Sequence, residues 1–171
     1  MSTIRIEHEV EIRRPRADVF AFVSDQDHRP AWVGGVARVR RTSPGPIGAG
    51  ATYAVVGRAL GRRVESNYEL IEYEPAASFA GRTSSSVFTI DETYVFEGDG
   101  TVTTVRLTAD ATPGRMLRLL GPLLGLAVER QIRSDHRRLK AILERNRRRP
   151  KAPSPKAPSP KAPASAAAAE D

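Results

Sequence analysis

Ile4, Ile6, Val10 and Ile12 alternate with Arg5, Glu7, Glu9, Glu11 and Arg13, the period-two pattern of a half-buried β-strand. Arg14-Pro15 breaks the strand. Proline suits the first turn of a helix, and Val19, Phe20 and Val23 then supply a short apolar face ending at Ser24-Asp25. A second short helix is predicted over Gln26 to Val33, stopped by Gly34-Gly35. Strands are predicted over Val36–Arg41, Ala51–Arg58, Arg63–Tyr73 and Ser78–Arg82, with Ser43-Pro44-Gly45-Pro46, Leu60-Gly61 and Pro75 as the breaks. Val87–Glu97 and Thr101–Ala111 read as a hairpin across Gly98-Asp99-Gly100, closed by Pro113-Gly114. A long helical pattern comes next, in which Leu120, Leu124, Ala127, Val128, Ile132, Leu139, Ile142 and Leu143 recur at spacings of three and four. Gly121-Pro122 interrupts that pattern and invites a kink, either a hinge that opens a cavity beneath the helix or a static bend fitting the helix to the sheet.

Runs of strands closed by one long helix indicate an antiparallel α+β domain. About seven strands form a curved sheet wrapped around the C-terminal helix, with two short helices after the first strand. One helix cannot fill the concave face of such a sheet, so a cavity is expected between them.

The pattern stops near Asn146. Beyond it come Arg147-Arg148-Arg149-Pro150, the repeated Lys-Ala-Pro-Ser-Pro and an alanine-rich end, with six of the 13 prolines. Proline at that density removes backbone donors and fixes φ, so residues 147–171 are expected to be a disordered Lys/Ala/Pro-rich tail after a domain of residues 1–146. Such a tail serves either as a solvated appendage or as a weak electrostatic tether to anionic surfaces.

Locating the charge changes its meaning. The net charge is +7 over 171 residues, but the segment from Arg147 on carries six bases against two acids. That accounts for four of the seven charges and leaves three for the domain, so no specific nucleic-acid binding is expected. The chain has no cysteine, which excludes disulfides, thiolate catalysis and cysteine-type zinc sites. With a mean hydropathy of −0.39, no long apolar run and no basic start followed by an apolar block, a cytoplasmic location is expected. No His/Asp/Glu spacing suggests a metal site, and no glycine-rich phosphate loop or Gly-x-Ser-x-Gly is present. Neither metal nor cofactor is expected.

Strand parity nominates the side chains that face the cavity. Tyr53 and Val55 share one face of their strand. Val64, Ser66, Tyr68 and Leu70 share another. On the hairpin, Ile90, Glu92, Tyr94 and Phe96 oppose Val105, Leu107 and Ala109. Phe79, Phe88 and, from the helical segment, Met116, Leu120 and Leu124 complete the candidate set. Tyrosines join an apolar body to one polar tip, which suits a greasy pocket that orients a ligand oxygen, although each also reads as an ordinary core tyrosine. Glu92 shares the face of Tyr94 and Phe96, where a carboxylate must be paired or protonated. It reads either as a general acid or base, or as a residue at the rim or bonded to Ser66, Tyr68 or an arginine. His8 has inward parity but reads as a lone histidine, while His28 and His136 sit in polar helical contexts and read as solvated.

Five stretches in order resemble the START-like SRPBCC superfamily, in particular its bacterial polyketide cyclase/dehydrase and lipid-transport branch. They are Val10 to Phe20, Asp25 to Trp32, Gly48 to Tyr53, Tyr68 to Pro75 and Leu139 to Glu144. The resemblance implies a helix-grip fold whose cavity lies between sheet and helix and takes lipids, polyketides or other apolar compounds, with only some members acting as enzymes. It also places Trp32 at the edge of that cavity, as a lining or gating residue or as a plug of a small core. The expected function is the binding or carriage of an apolar small molecule, lipid- or polyketide-like. One alternative is a cyclase or dehydratase using Glu92 and the tyrosines as acid/base and orienting groups. A second is an adaptor tethered to nucleic acid or anionic membrane by the basic tail.

Overall fold

The computed structural model of the chain describes residues 3–59, 61–119 and 122–146. The expected tail from residue 147 lies outside the described residues, as do Leu120 and Gly121 of the expected kink. Strands β1 (Ile4–Ile12), β2 (Val36–Arg41), β3 (Thr52–Ala59), β4 (Arg62–Glu74), β5 (Ser78–Ser85), β6 (Phe88–Gly98) and β7 (Thr103–Pro113) form a single antiparallel sheet. Its order is β1-β7-β6-β5-β4-β3-β2. Each strand from β2 to β6 pairs with its successor in sequence, and β1 returns to lie beside β7.

Helix α1 (Arg16–Ser24) follows Pro15 and buries Val19, Phe20 and Val23. The predicted second helix is two pieces, a 3₁₀ turn over Gln26–His28 and a single α turn, α2 (Arg29–Trp32), with Pro30 in its first turn. The Asp25 carboxylate caps the 3₁₀ turn by accepting from the Asp27 N–H at 3.0 Å, as short acidic side chains do at helix starts. The C-terminal helical pattern is likewise split, into α3 (Arg115–Arg118) and α4 (Pro122–Asn146). β5 runs three residues past its predicted end because Thr83 and Ser84 stay paired with Ile90 and Thr89.

The interior has two halves. In one, α1 and the C-terminal turns of α4 pack down on the sheet, burying Ile12, Val19, Phe20, Phe79, Phe96, Leu139 and Leu143. Phe20 meets Phe96 edge-on, with ring centroids 5.2 Å apart, a favoured aromatic geometry. In the other half the first turns of α4 stand over β6, β7 and β3 without filling the space beneath them.

Gly57 makes the close approach between β3 and the segment after α2 feasible. The Arg58 N–H donates to the Gly35 carbonyl at 2.7 Å, and a Cβ on Gly57 would lie 2.3 Å from that same oxygen. No helix among the described residues is long and apolar enough to cross a membrane.

Candidate functional site

A cavity of about 410 Å³ lies between the sheet and the N-terminal half of α4, within the range of about 300–1,000 Å³ usual for small-molecule sites. Its side walls are apolar: Val55 of β3, Ile90 of β6, Leu107 and Ala109 of β7, and Leu124 and Ile132 of α4. The cavity opens where exposed Arg58 and Ala127 border it. Its far end is closed by buried Trp32, Glu92, Tyr94, Asp135 and His136.

The polar groups at the closed end hold one another. Arg29 reaches in from α2 and donates from Nη2 to Glu92 Oε2 at 2.7 Å and from Nη1 to Gln26 Oε1 at 2.8 Å. The pair is buried, with side-chain exposures of 14% and 6%. Burial alone would push Arg29 toward its neutral form, yet Glu92, with smaller help from Tyr68, more than offsets it, and the guanidinium ends above its ordinary pKa. Arg29 also lies 4.9 Å from the centre of the Tyr68 ring, a cation–π distance. The Tyr68 phenol is pushed well up, first by burial and then by Glu92, but closes no hydrogen bond to it. Both the Tyr68 hydroxyl and Glu92 Oε1 are buried without a partner among the described residues. Burial, followed by Glu92, also raises Tyr94. The site therefore keeps the Arg29 guanidinium charged and the two phenols protonated.

A second polar pair crosses from β1 to α4. The Nδ1 atoms of His8 and His136 are 2.7 Å apart, so the rings must hold opposite tautomers: one donates Nδ1–H, the other accepts. Burial, and then His8, lowers the pKa of His136 to about 4. Burial, and then Arg133, lowers His8 as well. Asp135, next to His136, accepts from the Gly34 N–H and from Gln131 Nε2, each at 2.8 Å. Burial outweighs those bonds and raises its pKa.

Of the residues nominated from sequence, Trp32, Val55, Phe88, Glu92, Tyr94 and Leu124 line this cavity. Tyr53, Tyr68 and Phe79 do not. They have the inward parity, but the inner face of the sheet is not all cavity. Arg29 covers Tyr68, while Phe20 and Tyr94 pack on Phe79 at 6.2 and 4.9 Å. Tyr53 lies 6.1 Å from the Tyr68 ring, and the two border a smaller polar hollow of about 250 Å³ instead. The Met116 side chain and Leu120 lie outside the described residues. Glu92 has the arginine partner that its burial demanded.

The histidines depart from the expectation. His136 is 1% exposed, not solvated, and His8 is not alone because His136 is its partner. A signal was present in the sequence. His136 lies four residues after Ile132 and three before Leu139, on the apolar stripe of α4. His28 is half-exposed, and its ring stacks on Phe22 at 4.2 Å.

Tyr68 fits because residue 81 has no side chain. A Cβ on Gly81 would lie 2.0 Å from the Tyr68 hydroxyl oxygen. Gly81→Ala is expected to destabilise the fold by about 1–3 kcal/mol, the usual cost of overpacking a filled core, read as a lower midpoint in urea. An unchanged midpoint would show that Tyr68 moves aside freely.

Residues 3–144 match the family described as polyketide cyclase/dehydrase and lipid transport. No curated protein matches by sequence. Among solved structures, the fold is similar to the Zhui aromatase/cyclase from Streptomyces sp. R1128, with 17% identity and a TM-score of 0.72 over 86% of this chain and 97% of that one. It is similar to a START superfamily protein from Mycobacterium smegmatis, with 14% identity and a TM-score of 0.63 over 82% and 97%. It also resembles the di-domain aromatase/cyclase StfQ of the steffimycin biosynthetic pathway, with 13% identity and a TM-score of 0.67 over 85% of this chain and 52% of that one. These likenesses establish the helix-grip architecture.

Proposed function

This chain belongs to the polyketide cyclase/dehydrase and lipid transport family, and from that membership together with its cavity we propose that it binds or carries one apolar small molecule between the sheet and α4. The observation that carries this reading is the unfilled, apolar-walled space of about 410 Å³ with its polar groups gathered at one closed end. Apolar walls supply affinity through area removed from water, and a few polar groups at one end supply orientation. Arg29 and Glu92 offset each other's charge, so an apolar ligand meets no lone ion there. Residues proposed to contact the ligand are Val55, Phe88, Tyr94 and Leu124, with Trp32 and Glu92 behind its leading end.

An environment-sensitive apolar dye, 1-anilinonaphthalene-8-sulfonate, is expected to bind the full chain one-to-one and to be displaced by a long-chain alcohol. Leu124→Trp adds bulk into a void and not into a packed core. It is expected to weaken dye binding by roughly tenfold or more while leaving the melting transition in place. A wild type that binds no apolar probe, joined to a Leu124→Trp variant that unfolds, would sink the proposal.

The second reading is cyclase or dehydratase chemistry, favoured by the convergence of Glu92, Tyr94 and His136 on one cavity. A neutral imidazole whose Nδ1 is bonded to a second ring has the proton at its Nε2 coupled to that ring's tautomer, so a proton taken up or released at Nε2 can be matched by a shift of the Nδ1 proton between the rings. The similar Zhui protein is itself an aromatase/cyclase. Turnover of an aromatic polyketide-like substrate, lost by roughly a hundredfold or more in His136→Asn or Glu92→Gln while binding persists, would establish this reading over simple carriage.

A further inference from the structure

Three of the large apolar side chains that stand in solvent fall within eight residues of one another along the chain: Leu119, Leu123 and Leu126, at 87%, 70% and 64% exposure, the last next to Ala127 at the cavity opening. They belong to the segment whose other side, through Leu117, Leu124 and Val128, lines the cavity. A monomeric domain does not gain from such a cluster, and exposed apolar patches mark surfaces that meet something.

The residues beyond the leucines along the helix identify the partner. On α4 the residues at 123, 126, 130, 133 and 137 recur at spacings of three and four and so share one face. That face reads Leu, Leu, Arg, Arg, Arg, and all five positions are exposed. The chain has no acidic residue between Asp110 and Glu129, while Arg115 and Arg118 stand just before the leucines. Of the flanking acids, Glu129 is held by Arg133, and Glu144 accepts from the Arg13 N–H and lies near Lys140. The outward face of α4 is thus apolar at the cavity end and basic along the rest, opposite the face that packs on β1.

We infer that this face docks on an anionic lipid bilayer, with Leu119, Leu123 and Leu126 entering the headgroup layer and Arg130, Arg133 and Arg137 lying along the phosphates. An amphipathic helix with leucines on one part and arginines beside them is held by apolar insertion and by attraction to anionic lipid together. Long arginine side chains reach the phosphate plane while their stems stay against the apolar layer. The charge favours anionic lipid over a second copy of the chain, because lipid meets the leucines and the arginine row together, whereas this face of a second copy brings more arginines and no carboxylate row to match them. It also places the cavity opening at the membrane surface. The inference concerns the surface and holds whether or not the cavity takes a ligand.

The test uses the full chain, tail included, with two vesicle preparations: phosphatidylcholine alone, and equimolar phosphatidylcholine and phosphatidylglycerol. Flotation is expected to recover the protein with the anionic vesicles only. Leu123→Ser/Leu126→Ser is expected to weaken that binding by roughly tenfold or more, as is Arg130→Gln/Arg133→Gln/Arg137→Gln. All of these side chains are exposed, so the melting transition and the dye binding of the cavity should be retained, which separates this test from that of the proposed ligand. In Leu126→Trp, the indole emission is expected to shift to shorter wavelength on adding anionic vesicles. Binding that survives the leucine changes would assign it to the basic tail and overturn the inference, as would a wild type that floats with neither preparation. A leucine variant that turns a sedimenting dimer into a monomer would overturn it in favour of self-association. Equal retention of wild type and leucine variant on duplex DNA, with no vesicle binding, would do so in favour of nucleic acid.

Discussion

Arg29→Met is expected to lower the free energy of unfolding by about 3–5 kcal/mol, because it leaves the Glu92 carboxylate buried and unpaired. Glu92 sits on the inner face of β6 with Tyr94 and Ile90 as its neighbours along the strand, and Glu92 Oε2 has Arg29 as its charged partner. Among the described residues nothing nearby replaces that guanidinium: the Tyr68 hydroxyl is beside it but is neutral, and Gln26 is oriented toward Arg29 itself. The variant also loses the cation–π contact with Tyr68, worth about 1–2 kcal/mol when desolvated. Removing both charges should cost less than removing one. Arg29→Met/Glu92→Leu is expected to recover most of the loss, since a buried ion pair competes poorly with apolar groups of similar size. Urea denaturation of the two single variants and the double variant gives the coupling directly. A loss below about 1 kcal/mol for Arg29→Met would mean that water reaches Glu92, and that the closed end of the cavity is open.

Acid should unfold this domain in a window set by His136. Its folded pKa is about 4 against an ordinary 6.5. Above pH 6.5 the imidazole is neutral in both states, and the folded state bears no protonation penalty. Between 6.5 and about 4 the unfolded chain takes up a proton that the folded chain refuses, so stability falls with falling pH. Below about 4 both states are protonated and the loss levels off. A depression of this size corresponds to a loss on the order of 3 kcal/mol across the window, and His8, lowered in the same direction, adds to it. His136→Phe keeps an aromatic ring between Trp32 and Tyr94 but cannot titrate. Between about pH 7.5 and about pH 4.5, wild type is expected to lose on the order of 3 kcal/mol more than the variant. Parallel losses in the two proteins would show that carboxylates, not the imidazole pair, govern acid unfolding.

The sheet is legible in the sequence because its signals are local. Period-two alternation in β1 and the Gly98-Asp99-Gly100 hairpin rest on steric rules that act within a few residues, and they place β1, β6 and β7 close to their observed bounds. Pairing order is harder. Antiparallel neighbours follow from short connections, but the return of β1 to β7 is set by closure of the whole sheet. In the cavity, parity settles which way a side chain points but not what stands in front of it. Tyr68 and Phe79 point inward as expected and are covered by Arg29 and Phe20, side chains from helices whose docking angle no local pattern encodes. Arg29 carries no signal of its own, because a lone arginine in a polar stretch looks solvated, and only the fold brings it across to Glu92. His136 looks solvated in sequence because its neighbours Asp135, Arg137 and Arg138 are polar, although its helical spacing from Ile132 and Leu139 puts it on the apolar stripe.

The pairing of β1 with β7 bears on how the chain is made. Ile4 lies opposite Ala111 and Ile12 opposite Thr103, so the sheet's first strand in sequence must wait for its last before it can pair. Strands β2 to β7 can zip up hairpin by hairpin as they emerge. Meanwhile β1 waits through roughly a hundred residues of synthesis, and closing a loop of that length costs roughly 4 kcal/mol of chain entropy beyond a constant term. Folding of such a non-local contact is slow, and an unpaired strand carrying Ile4, Ile6, Val10 and Ile12 is a template for pairing with another nascent chain. The charges that alternate with those residues then have a purpose before the sheet exists. Arg5, Glu7, Glu9, Glu11 and Arg13 make any foreign strand laid against β1 meet a row of charges on one face, the gatekeeping that keeps a waiting strand from aggregating. In the finished sheet two of them take cross-strand partners, Arg5 with Asp110 and Glu9 with Arg106, so part of the guard on the nascent strand becomes cross-strand pairs on the folded surface.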